Sequence, residues 1–158
     1  MCEQSYEVLE DYWSDYQAEW IVSCLRGDVH VNTRDPAQSL QTVAMRLCHC
    51  NVTPGIRLGT LRLILAREPD LRLTDSSGRT ILHHACIGQC YEILETLASY
   101  GSCDPNVTDV DGNTALLLAV ASANKTALQE YLSTFIHLGL DFTARNNKGK
   151  LITNFTCY

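Results

Sequence analysis

Two clusters in this chain hold side chains that could do chemistry. Cys48, His49 and Cys50 are consecutive, and His83, His84, Cys86 and Cys90 crowd a second stretch. Thiolate and imidazole are ligands of zinc, and together they make the nucleophile and base of thiol enzymes. Neither cluster has the Cys-x-x-Cys pairs of a structural zinc site. Helical neighbours point about 100° apart, so Cys48 and His49 would not converge easily on one ion. No third, orienting group stands at a readable spacing, and there is no P-loop or dinucleotide glycine fingerprint. A thiol or zinc enzyme is a remote alternative; the expectation is no metal, no cofactor and no catalysis. Most of these cysteines read as small buried apolar side chains.

The elements that would position these residues emerge when the chain is aligned on itself. Asp75-Ser-Ser-Gly78-Arg-Thr80-Ile-Leu82-His83-His-Ala85 matches Asp109-Val-Asp-Gly112-Asn-Thr114-Ala-Leu116-Leu117-Leu-Ala119 at an offset of 34. A second apolar run follows each block, ending at Gly101 and at Gly139. Gly78 and Gly112 suit a tight turn, and Thr80 and Thr114 stand where a hydroxyl can cap a helix. Leu82 and Ala85 share a helix face, and Ile93, Leu94 and Leu97 give the next helix its apolar stripe. No single unit of this size buries its apolar face, so neighbours must stack.

These blocks resemble the ankyrin repeat, D-x-x-G-x-T-P-L-H-x-A, with its short helix, longer helix, glycine and turn. The resemblance implies an all-α solenoid of stacked helix pairs with β-hairpin-like finger turns. It implies that His83 is structural, bonding backbone between adjacent repeats; its counterpart in the next repeat is Leu117. It also implies a concave partner-binding face made of finger tips and the exposed side of the first helices. Carried over by position, that face holds Ser76, Ser77, Arg79 and His84 in one repeat. Val110, Asn113 and Leu118 match them in the next, and Asn147 and Lys148 in the last.

The flanks are weaker copies. Arg145-Asn-Asn-Lys-Gly149-Lys-Leu151 repeats the turn with Asn146 in the aspartate position, before a truncated last repeat. Upstream, Pro36 to Cys48 reads as the first helix of an expanded repeat, and Leu61 to Leu71 as its second helix and turn. Ile21-Val-Ser-Cys24-Leu-Arg-Gly27 has the spacing of Leu82 to Gly88 and reads as a degenerate cap. The division expected is an acidic-aromatic capping segment over residues 1–35 and about three repeats over residues 36–158.

Charge is asymmetric. Residues 1–20 carry six acids and no base, whereas the other 138 residues hold 12 of each, so the whole net charge of -6 sits at one end. Leu9, Trp13, Tyr16 and Trp20 are spaced to share one helical face. That face should cover the first repeat, with its acids near Arg46, Arg57 or Arg62; the alternative is an acidic-aromatic segment that docks on a partner. Arg46, Arg57, Arg62 and Arg67 are too few for a nucleic-acid footprint, and no apolar run is long enough to cross a bilayer. The eight cysteines are expected to be reduced, because the N-terminus does not read as a signal peptide. For the same reason the four Asn-x-Thr sequons, at Asn51, Asn106, Asn124 and Asn154, are expected to stay unmodified. The resulting expectation is a cytoplasmic protein, reaching the nucleus as well, that binds another protein as inhibitor, competitor or adaptor. The alternative is an inhibitor-of-kappa-B-like suppressor of Rel-type transcription factors.

Overall fold

Threonine opens the first helix of each repeat. Thr42 Oγ1 accepts the Met45 amide and Thr114 Oγ1 the Leu117 amide, each at 3.4 Å. At Thr80 a capping box closes instead, with the Thr80 amide donating to His83 Nδ1 at 3.1 Å. Such caps satisfy backbone donors that a helix start leaves without partners.

The computed structural model describes Leu9, Tyr12, Trp13 and residues 18–122 and 125–151. Among these, seven α-helices follow in order: α1 (Glu19–Arg26), α2 (Val43–Leu47), α3 (Pro54–Leu65), α4 (Ile81–Ile87), α5 (Tyr91–Tyr100), α6 (Ala115–Ser122) and α7 (Lys125–His137). Extended pairing is confined to isolated bridges, Asp35 with Gln41, Thr108 with Thr114 and Arg145 with Leu151. The all-α stack of helix pairs is the architecture that the repeats imply. None of the described helices is long and apolar enough to cross a membrane.

The pairs α2–α3, α4–α5 and α6–α7 each form one layer. The first helices stack in a row, α2 on α4 on α6, and the second helices in another, α3 on α5 on α7. Leu82, Ala85, Leu116 and Ala119 are buried between the first helices, and Ile93, Leu94, Leu97 and Phe135 between and beneath the second. Alanine at 85 and 119 lets the rows approach closely.

Three sequence expectations need correction here. Pro36 to Cys48 is not one helix. Pro36–Gln38 is a 3-10 turn within a longer finger, closed by the Asp35 amide on Gln41 O, and the helix starts only after Thr42. Ser39 and Leu40 take positive φ (55° and 62°) where the other fingers use glycine. The segment Ile21 to Gly27 does not copy a first helix either. α1 ends in left-handed Gly27 as α5 ends in left-handed Gly101, and eight residues then lead from each glycine to the finger aspartate, Asp35 or Asp109. α1 therefore holds the place of a second helix.

The third correction is at the N-terminus. Ala18 is non-helical and precedes α1, so Trp20 belongs to a different helix from Trp13. Trp13 is wholly buried, and its Nε1 donates to Thr60 Oγ1 on α3 at 2.8 Å. Tyr16 and every acid of residues 1–20 except Glu19 lie outside the described residues, as do Cys2 and Cys157 and the truncated segment 152–158. Arg46 pairs with Asp35 at 2.8 Å, and Arg57 pairs with Glu92. Arg67 donates to the carbonyls of Cys24 and Leu25 at the end of α1. Arg46 thus joins the first finger to α2, Arg57 ties one repeat to the next, and Arg67 holds the end of α1.

Candidate functional site

Each finger is built by one side chain. Asp75 Oδ1 accepts the amides of Ser77 and Arg79 at 2.8 and 2.9 Å, while the Asp75 amide donates to Arg79 O. Asp109 does the same for Asp111 and Asn113, at 3.0 and 2.9 Å. Asn146 repeats it for Lys148 and Lys150, at 3.0 and 2.9 Å. Burial works against the ionised form of Asp109, but the bonds from Asn113 and Asp111 hold its carboxyl below the usual range.

The fingers then join side by side through their backbones. The amides of Ser76, Val110 and Asn147 donate to Ser39 O, Ser77 O and Asp111 O of the preceding finger, at 2.8 to 3.0 Å. Side chains reinforce the row: Asn146 Nδ2 donates to Asn113 Oδ1 at 2.8 Å, Asn147 Nδ2 to Val110 O at 3.1 Å, and His83 Nε2 to Asn113 O at 3.0 Å. His83 therefore bridges two repeats, as its position implies. Its Nδ1 accepts from Thr80, which fixes the ring as the Nε2–H tautomer.

The nine residues assigned to the partner face divide into three groups. Ser76, Val110, Asn147 and Lys148 are exposed at finger tips, Val110 at 65%. Ser77, Arg79, Asn113 and Leu118 are half-buried. Arg79 leans on Asp109 at 3.5 Å. Asn113, Leu118, Asn147 and Lys148 line a common cleft of about 180 Å³ between the third and fourth fingers and α6. Asp111, Ala121, Asn146 and Lys150 also line it and were missed; the fourfold finger pattern pointed to three of them, because they share the fingers of residues that were named.

His84 is the exception. It is 2% exposed, so it is no part of an exposed helix side. Its Nε2 lies 3.0 Å from Asp75 Oδ2, and its Nδ1 lies 2.7 Å from Nε2 of exposed His49. A carboxylate only accepts, so Nε2 of His84 carries the proton and Nδ1 accepts from His49. Burial, then the neighbouring His49, holds the His84 imidazole down at about 4. The chain Asp75–His84–His49 has the form of an oriented base, but it locks the second finger to α4 and to the end of α2.

The thiols pack at that same junction. Cys90 Sγ donates to Cys48 O at 3.1 Å, and a side chain added at Gly88 would meet that carbonyl at 2.2 Å. Burial pushes the Cys86 and Cys50 thiols up, which keeps them protonated and poor nucleophiles at neutral pH. Among the described residues no three His, Cys, Asp or Glu side chains are placed to hold a metal ion. At the sequon Asn106 the amide is occupied: Nδ2 donates to Gly139 O and Oδ1 accepts from the Asp141 amide. Asn124 and Asn154 lie outside the described residues.

Comparison with known proteins agrees with this geometry. Residues 55–146, more than half of the chain, match the family described as Ankyrin repeats (3 copies). Ankyrin repeat domain-containing protein 63 of Mus musculus is 31% identical over 96 residues, which cover 61% of this chain and 24% of that protein. Its Homo sapiens counterpart is 30% identical over 96 residues, 61% of this chain and 25% of that protein. The match thus spans about a quarter of the length of these curated relatives.

Proposed function

Because the chain belongs to the ankyrin-repeat family, whose repeats are a general protein–protein interaction module, we propose that it acts by occupancy, binding one protein as inhibitor, competitor or adaptor without catalysis. The observation that carries this reading is the row of fingers. Backbone bonds fix four turns side by side and leave Ser76, Val110, Asn147 and Lys148 exposed along one edge. Ordered side chains on a preformed scaffold lower the entropic cost of association. In this reading residues 1–35 cap the stack and residues 36–158 form the repeats. In this reading the site of action is the cytoplasm, extending to the nucleus.

The test is affinity capture of the full chain from cells beside the variant Val110→Asp. The expected result is at least an about tenfold loss of captured partner, in line with an anchor residue at an interface, with an unchanged thermal melt. Capture that survives Val110→Asp but is lost on Glu95→Arg, on the outer row, overturns the assignment of the face. The narrower reading is an inhibitor-of-kappa-B-like suppressor of Rel-type transcription factors. A Rel-type protein among the captured partners is what it requires.

A further inference from the structure

The fourth finger differs from the other three in charge. Asparagine replaces the opening aspartate at 146, yet Asn146 Oδ1 still accepts the two finger amides at 3.0 and 2.9 Å. The turn therefore does not need the acid, and its removal leaves the finger without a negative charge. Arg145, Lys148 and Lys150 are all exposed there, and no acidic residue follows Asp141 in the sequence. Arg145 Nη1 donates to Gly149 O at 3.1 Å, which holds its charge within this finger. A chain with net charge -6 thus carries a concentrated positive edge beside the cleft.

The cleft adds shape to that charge. Its apolar lining is Leu117, Leu118 and Ala121, and about 180 Å³ is less than a drug-sized ligand needs. One apolar side chain of a partner fits such a volume. Asp111 and Lys148 both line the cleft, so it carries a carboxylate that repels acidic groups as well as an ammonium that attracts them. That pairing of charges restricts how an acidic segment can lie. A nucleic acid fits less well, because no aromatic ring lines the cleft to stack a base and Asp111 opposes phosphate.

We propose that this cleft takes an acidic segment of a protein partner, with one apolar side chain against Leu118 and Ala121 and carboxylates towards Arg145, Lys148 and Lys150. The proposal rests on the protein-binding reading above and names the chemistry of what is bound.

Selection of a phage-displayed library of random nonapeptides against the full chain tests it. The enriched peptides should carry two or more Asp or Glu around a Leu, Ile or Phe. A synthetic copy should bind less tightly as salt rises from about 50 to about 500 mM. The double variant Lys148→Glu with Lys150→Glu should weaken it at least about tenfold, with an unchanged melt because both side chains are exposed. Leu118→Ala should weaken it without altering the salt dependence. Enrichment of neutral or basic peptides, no enrichment, or acidic peptides indifferent to the lysine variants overturns the proposal. Tighter binding of a single-stranded oligodeoxynucleotide than of any selected peptide overturns it too. A cellular partner lost with Val110→Asp but kept by the lysine variants removes this inference and leaves the protein-binding reading standing.

Discussion

The imidazole of His84 joins three segments that are far apart in sequence, through Asp75 in the second finger and His49 after α2. Protonating it would turn Nδ1 from acceptor to donor and set two N–H groups against each other at 2.7 Å. Its folded value of about 4 lies below the ordinary 6.5, so the unfolded chain binds the proton first as pH falls. Stability is complete above pH 6.5 and is lost progressively down to about pH 4, by up to about 3 kcal/mol from this group. His83, also lowered by burial, acts in the same direction. Glutamine at 84 keeps a donor for Asp75 and cannot titrate. Urea unfolding of wild type and His84→Gln at pH 7 and pH 4.5 should show a smaller acid loss in the variant. Equal losses would mean that His84 is not the titrating group.

Among the elements, the first helices meet most closely, and the side chain five residues after each capping threonine decides how closely. That residue is Ala85 in α4 and Ala119 in α6, both with no exposed surface, and Leu47 in α2. Towards the N-terminus α2 packs on α1. At 119 the space is already filled by α4 and α7. Ala119→Leu should cost about 1–3 kcal/mol by overpacking and lower the melting temperature by several degrees. A melt identical to wild type would show that the assigned register of the repeats is wrong. The fingers follow a separate logic, since one side-chain oxygen of Asp75, Asp109 or Asn146 satisfies two amides without help from any other repeat.

For the whole molecule, the stack must end somewhere, and Trp13 buries one end of it against α3 with its indole nitrogen on Thr60. Burying a side chain of that size contributes on the order of 1.5–3 kcal/mol. Removal of residues 1–20 should therefore lower the melting temperature and raise binding of an apolar dye. An unchanged melt with lost partner binding would make this segment a docking tail instead. The helices, caps and fingers of the two clear repeats, residues 75–101 and 109–139, were readable from the sequence alone, because each is decided within about ten residues by threonine, glycine, aspartate and apolar spacing. The surface of the site was readable only in part. Ser76, Val110, Asn147 and Lys148 stay outside because a hairpin tip has nothing above it, wherever the hairpin sits. His84 is buried because His49 and Asp75 close over it, and Arg46, Arg57 and Arg67 are held by Asp35, Glu92 and the end of α1. Those contacts join residues 9 to 43 positions apart. Which side chains face solvent and which are held between repeats depends on how the repeats stack, and only the tertiary structure decides that.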